Sequence, residues 1–148
     1  VYKRQVIPFV DSFNDNGYTK EEMKMVWETH KILDKNIDVN ATAVRVPVIT
    51  GHSESITIET KKPVDVNALK NKYNDLDYIE LLDDPKTDEY PTAFINGSGT
   101  DSVYVGRIRK DLMNDNVLNI WVVADNVRKG AALNSIQIAE LLIKGNFL

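Results

Sequence analysis

Arg45 and His52 are the two side chains of this sequence best suited to chemistry on a small acidic substrate. A planar guanidinium can hold a carboxylate by two parallel hydrogen bonds, and an imidazole can move a proton near neutral pH. Gly51 lies directly before His52 and permits a turn that other residues resist. An anion clamp therefore precedes a turn and an acid/base group follows it. Two structural alternatives stay open: Arg45 can face solvent or pair with Glu59, and His52 can simply complete the turn.

Alternating patterns predict the strands that position these two residues. Before the turn every second residue is a valine, which predicts a strand with one buried face and with Arg45 on the other face. These residues are Val44, Val46 and Val48. After the turn, Ile56 and Ile58 resume the alternation and predict a second strand.

Thr19 and Glu22 form a capping box that predicts a helix to about Leu33. Glu21 and Lys24 lie three residues apart on one face of this helix, and the sequence by itself favours a solvated ion pair for them. Its apolar face carries Met23, Val26, Trp27, His30 and Leu33. His30 is therefore expected to be a packed or rim residue and not a ligand.

The rest of the chain is predicted to alternate short strands and helices. Asp65 caps a short helix with an apolar stripe of Val66, Leu69 and Tyr73. The other predicted elements are strands at 6–10, 78–82, 103–109 and 118–124, an extended piece at 91–95, a solvated acidic loop at 83–89, and a flexible turn at 97–99. Arg107 and Arg109 are expected on one face of their strand. Together these elements predict an α+β domain with a mixed, mainly antiparallel sheet and helices on one face.

Asp125 and Asn126 are expected to cap a last helix over residues 128–144 that ends at Gly145. This helix is apolar nearly all round, so we expect burial on several sides. One small sheet can cover only one side, and something outside this chain is expected to cover another.

Composition excludes several classes of function. The chain has 148 residues, 43% hydrophobic and 27% charged, with a net charge of -4, so nucleic acid is an unexpected partner. It has no cysteine and only two histidines, which leaves no thiol nucleophile and no His-rich metal site. No apolar run reaches the ~20 residues of a membrane span. Val1 is not an initiator methionine, so we expect a processed chain or one cut from something longer.

The sequence resembles the C-terminal domain of bacterial aspartate-semialdehyde dehydrogenases over nearly its whole length. The matching segments are residues 7–13, 15–25, 45–55, 105–109 and 121–134. The strongest signals are the Arg45-to-His52 spacing and the run Asp-Asn-Val-Arg-Lys-Gly-Ala-Ala that begins at Asp125.

The resemblance implies a fold like the C-terminal domain of glyceraldehyde-3-phosphate dehydrogenase-type enzymes. It also implies NADPH-dependent reduction of L-aspartyl phosphate to L-aspartate semialdehyde and phosphate, in the cytoplasmic biosynthesis of lysine, threonine and methionine. The resemblance further implies that Arg45 binds the substrate α-carboxylate, that Glu21 binds the amino group and that Lys24 binds the phosphate. His52 becomes the general acid/base, and Asn126 lies near the nicotinamide side. Glu21 and Lys24 are then substrate ligands instead of a surface pair.

The sequence departs from the family pattern in two respects: it contains neither the family's nucleophilic cysteine nor a complete Gly-x-Gly-x-x-Gly motif. Residues 1–148 are therefore expected to be one catalytic and dimerisation domain that is inactive alone. NADP is expected to bind mainly to an N-terminal domain, on which helix 128–144 packs. A homodimer is expected through the sheet at 103–124. Two alternatives are a non-catalytic dimerisation or ligand-binding module of the same fold and an N-acetylglutamyl-phosphate reductase-like domain.

Overall fold

A computed structural model of the chain describes residues 4–147, which divide after Pro47 into two separately packed units. In the first unit, helix α1 spans Lys20–Ile32. The predicted capping box is present: the Thr19 amide donates to Glu22 Oε2 at 2.7 Å, and the Glu22 amide donates to Thr19 Oγ1 at 3.3 Å. The helix ends at Leu33, as predicted. Its apolar face is only partly covered, since Trp27 is 52% exposed.

The predicted strands at 6–10 and 43–48 are wrong, because only one isolated antiparallel bridge forms, between Ile7 and Arg45. In an antiparallel ladder the neighbouring hydrogen-bonded pairs would involve Pro47 and Ala43. Pro47 has no N–H to donate, and the N–H of Ala43 goes to the side chain of Glu22 instead. The ladder therefore stops on both sides of the bridge, and the three valines expected on a buried face are exposed.

The second unit is built on a mixed four-stranded sheet in the order β1-β4-β3-β2. The strands are β1 (His52–Glu59), β2 (Ile79–Leu81), β3 (Val103–Lys110) and β4 (Val117–Ala124). Strand β4 pairs antiparallel with β1 and β3, whereas β2 and β3 are parallel. The predicted α+β class and the mixed, mainly antiparallel sheet are confirmed.

Helix α2 (Val66–Asn74) covers one face of this sheet. Asp65 caps it as predicted, accepting hydrogen bonds from the amides of Asn67 and Ala68. The predicted stripe of Val66, Leu69 and Tyr73 packs against the buried core. That core consists of Val105, Ile108, Leu118 and Ile120.

A β-bulge in β3 brings both Val105 and Ile108 into this core. The register shifts between Gly106 and Arg109, and Arg107 has a left-handed φ of 54°. Regular alternation would place Arg107 and Arg109 on the Val105 face. The extra residue turns Ile108 to that face instead, and both arginines are exposed.

The side chain of Asp83 holds the bulge in place. Its two carboxylate oxygens accept the amides of Arg107 at 2.8 Å and Ile108 at 3.1 Å, and Oδ2 lies 2.8 Å from Lys70 Nζ. The Asp83 side chain is only 3% exposed. The prediction of a fully solvated acidic loop is therefore wrong for Asp83, because two backbone donors of the bulge need an acceptor there.

Two π-helical turns flank the strands. The expected extended piece at 91–95 is wrong, because Ala93–Gly97 forms a π-helical turn in which Thr92 Oγ1 accepts the Ile95 amide. Gly97 belongs to this turn, and the residues after it are held by Asp125, whose Oδ2 accepts the Gly99 amide at 2.8 Å.

The predicted last helix is a π-helical turn at Arg128–Leu133 followed by α3 (Asn134–Lys144), with Gly145 at its end. Asp125 Oδ1 caps its start by accepting the amides of Val127 and Arg128. No residue of α3 is buried, and four of its apolar side chains are more than half exposed. These are Ile136, Ile138, Leu141 and Ile143. Coverage of this helix by something outside the chain stays a prediction.

Asp83→Asn should destabilise the second unit. Asparagine has one acceptor oxygen for two backbone donors and no charge for Lys70, so we expect a loss of about 2–4 kcal/mol in the free energy of unfolding. Urea denaturation measures this loss. The matched control, Asp77→Asn at an exposed position, should change stability by less than about 0.5 kcal/mol. Equal effects of the two substitutions would refute the role of Asp83.

Acid should destabilise the chain partly through Asp125. Hydrogen bonds from the amides of Arg128 and Gly99 hold the pKa of Asp125 below its ordinary value. The folded state therefore binds fewer protons than the unfolded state around pH 4, so this stabilisation is complete above that range and disappears as the pH falls through the lowered pKa. Urea midpoints measured from pH 7 to pH 3 should fall less steeply for Asp125→Asn than for the wild type. A parallel acid slope in both proteins would argue against this contribution.

Candidate functional site

Glu21 and Lys24 lie together on an accessible face near the N-terminal end of α1. Lys24 Nζ is 3.2 Å from Glu21 Oε2, and the side chains are 44% and 33% exposed, respectively. Such an ion pair is worth at most about 1 kcal/mol in water, so a ligand that offers the opposite charges can replace it at little cost. The ion pair is thus present as the sequence predicted. Its geometry is compatible with a solvated surface pair and also with two side chains that bind a ligand.

Arg45 is fixed through its backbone and free at its side chain. Its N–H and C=O exchange hydrogen bonds with Ile7 at 2.8 and 2.9 Å. Arg45 is exposed, and its guanidinium forms no ion pair with any described residue of the first unit. A fixed backbone with an uncommitted guanidinium is suited to capture of a carboxylate.

Glu22 links the segment before Arg45 to helix α1. While Oε2 accepts the Thr19 amide, Oε1 accepts the Ala43 amide at 2.8 Å. These two backbone hydrogen bonds, the Thr19 bond first, hold the pKa of Glu22 below its ordinary value. The sequence identified Glu22 only as a helix cap, because nothing in a local pattern reveals a bond to a residue so far along the chain.

In the second unit, His52 is placed by a tightly packed glycine. Gly51 has φ +93°, and a Cβ there would lie 3.1 Å from Ala93 Cβ and 3.3 Å from the Ala124 carbonyl oxygen. The Gly51 amide donates to Asn126 Oδ1 at 3.0 Å. His52 then opens β1 opposite Ala124. The predicted glycine turn and the strand after it are confirmed, and the imidazole is exposed.

His52 and Asn126 line a common open cleft of about 300 Å³. Its apolar lining is Val103, Val122 and Ala124, and its other walls include Glu54, Asp125, Lys129, Gly130 and Asn134. This volume is at the lower end for small-molecule sites and suits a flat ring more than a whole dinucleotide. Because Asn126 Oδ1 is already bonded to Gly51, its NH₂ group is the part left to contact a ligand.

Glu54 and Lys129 are charged residues of this cleft that the sequence did not single out. Glu54 follows His52 by two residues on the same strand face. Lys129 Nζ lies 2.5 Å from Gln137 Oε1 and 5.3 Å from the centre of the Tyr78 ring, a cation–π contact. Both residues lie within the segments that resemble the family, 45–55 and 121–134, but only the folded sheet brings them to the cleft.

Within residues 4–147, no group of three or more His, Asp or Glu side chains is arranged to hold a metal ion. In the same part of the chain, no helix has the length and apolarity needed to cross a membrane.

Comparison with known proteins gives consistent matches along the chain. The family described as "Semialdehyde dehydrogenase, dimerisation domain" matches residues 3–129. An aspartate-semialdehyde dehydrogenase of Shewanella sp. (strain DB6705) is 56% identical over 149 residues, which cover 97% of this chain and 44% of that protein. The chain thus spans less than half the length of this relative.

Solved structures agree with the sequence matches. Aspartate semialdehyde dehydrogenase II of Vibrio cholerae complexed with ASA has a TM-score of 0.88 and 51% identity, covering 95% of this chain and 41% of that one. The Candida albicans enzyme with NADP has a TM-score of 0.74 and 28% identity, covering 97% of this chain and 46% of that one. These neighbours share the α+β fold described above. Because the family match covers residues 3–129 and the Shewanella enzyme is 56% identical, the chain belongs to the semialdehyde dehydrogenase family and represents its dimerisation domain.

Proposed function

We propose that the chain is the substrate-binding and dimerisation domain of an aspartate-semialdehyde dehydrogenase. In this reaction L-aspartyl phosphate, NADPH and a proton give L-aspartate semialdehyde, phosphate and NADP⁺. The observation that carries the proposal is that Arg45, Glu21, Lys24 and His52 are all accessible in a chain that aligns with such enzymes over 97% of its length. The ASA and NADP present in the Vibrio and Candida structures support the substrate and the cofactor.

The substrate carries three charged groups, and the first unit offers one opposite charge for each. Arg45 binds the α-carboxylate through its planar fork. Glu21 accepts hydrogen bonds from the α-ammonium group, and Lys24 holds the phosphate. Because Glu21 and Lys24 form only a surface pair in the free protein, the ammonium and phosphate groups can replace each partner without leaving a buried charge unpaired.

His52 acts as the general acid/base. It takes the proton of the thiol that attacks the acyl phosphate, and this proton leaves with the released phosphate. A second proton, taken up from solvent, passes from His52 to the carbonyl oxygen of the thioester as hydride arrives. His52 takes that proton back from oxygen and returns it to sulfur as the C–S bond breaks and the aldehyde forms. The glycine before it and the β1 ladder after it fix its backbone, which limits the positions that the imidazole can reach. The thiol comes from outside these residues, since the sequence has no cysteine.

NADP supplies and accepts the hydride when bound. The apolar lining of the His52 cleft and the free NH₂ group of Asn126 suit the nicotinamide end. The phosphates and adenosine need a dinucleotide-binding domain, and the exposed apolar side chains of α3 offer that domain a packing surface. The sheet at 103–124 is the proposed homodimer surface. Residues 1–148 then work as one domain that needs this partner for turnover.

Arg45→Lys in the complete enzyme should weaken substrate binding. Lysine keeps the charge but loses the second parallel hydrogen bond, so KM for aspartate semialdehyde should rise roughly 10- to 100-fold. NADPH formation at 340 nm measures this change. Arg4→Lys, an exposed arginine of the same unit, is the matched control. An unchanged KM in Arg45→Lys, or NADPH formed by the 148-residue chain alone, would contradict the proposed function.

His52→Gln should reduce kcat by about 10²–10⁴-fold, because glutamine can hydrogen-bond but cannot transfer the proton. His30→Gln serves as the control, since His30 Nε2 contacts only the carbonyl oxygen of Ile37 at 2.9 Å among the described hydrogen bonds. Steady-state kinetics of both variants measure the two kcat values. Comparable kcat values for the two would remove His52 from the mechanism.

A further inference from the structure

We propose that Glu22 is a positioning residue for Arg45: its carboxylate ties the segment that carries Arg45 to the turn of α1 that carries Glu21 and Lys24. The inference rests on the proposed function, since it concerns the substrate-binding residues named there. Glu22 itself touches no substrate.

The first support is that the two oxygens of Glu22 have two different tasks. Oε2 accepts the Thr19 amide and completes the helix cap. Oε1 accepts the amide of Ala43, a residue 21 positions away. A helix cap needs only the first of these bonds, so the second has another purpose.

The second support is the position of Ala43 in the segment. Arg45 follows two residues later and exchanges both backbone hydrogen bonds with Ile7. The stretch from Ala43 to Arg45 is thus fixed at one end to α1 and at the other to Ile7. Since the ladder does not extend beyond this single bridge, Glu22 replaces the strand pairing that would otherwise fix Ala43.

The third support is the chemistry of the side chain. Both partners are backbone N–H donors, so the site needs two acceptors and no donor, which is what a carboxylate offers. Glu22 is 7% exposed, and no Lys or Arg in the described residues forms an ion pair with it. Glutamine has a single acceptor oxygen, and its NH₂ group would face one of the two N–H groups. Aspartate is one methylene shorter and cannot span both.

The test compares three substitutions in the complete enzyme. Glu22→Gln should raise KM for aspartate semialdehyde roughly tenfold while kcat changes less than about threefold, because the Arg45 segment loses its tie to α1. Thr19→Ala removes the capping hydroxyl but keeps the Thr19 and Ala43 amides that donate to the Glu22 carboxylate, so it should lower Tm without changing KM. Glu28→Gln, an exposed glutamate of the same helix, should change neither.

The outcomes separate the inference from the proposed function. A raised KM in Glu22→Gln but not in Thr19→Ala supports the positioning role. An unchanged KM in Glu22→Gln, or equal KM changes in both variants, overturns it. If Arg45→Lys raises KM and Glu22→Gln does not, the inference alone fails. If Arg45→Lys also leaves KM unchanged, the proposed function fails. Should Glu22→Gln not fold, the same KM criterion applies to Glu22→Asp, whose shorter side chain cannot span both amides.

Discussion

A backbone N–H group that leaves regular secondary structure needs another acceptor, and three buried carboxylates meet this need here. Glu22 accepts the amide before Arg45, Asp83 accepts the two amides of the β3 bulge, and Asp125 accepts three amides around the end of β4. Glu22 and Asp125 hold backbone close in the chain to Arg45 and Asn126, and Asp83 holds backbone at the core residue Ile108. Irregular backbone can therefore be held rigidly without a long ladder of strand pairs.

This arrangement separates the charges that support the structure from the charges available for ligands. The supporting carboxylates are buried and accept backbone amides, whereas Arg45, His52 and the Glu21–Lys24 pair are accessible. A buried, satisfied carboxylate is costly to disturb, but an exposed charge can exchange water for a ligand cheaply. The framework can thus stay fixed while the ligand-facing side chains change partners.

Local sequence patterns predicted the elements whose stabilising contacts are also local. The capping box of α1, the Asp65 cap of α2, the glycine turn before His52 and the strongly apolar β4 all formed as expected. Prediction failed where a distant residue competed for the backbone. The strand through Arg45 was lost because Pro47 has no donor and Ala43 gives its own to Glu22.

The sequence by itself determined the fold class, the family resemblance and the residue types able to bind and protonate an acidic substrate, because these depend on side-chain chemistry and short-range periodicity. Only the tertiary structure decided which backbone groups the carboxylates satisfy, which face Ile108 and the arginines of β3 occupy, and which residues share the cleft of His52. The physical reason is that hydrogen bonds and packing between distant segments depend on a geometry that exists only once the chain has folded.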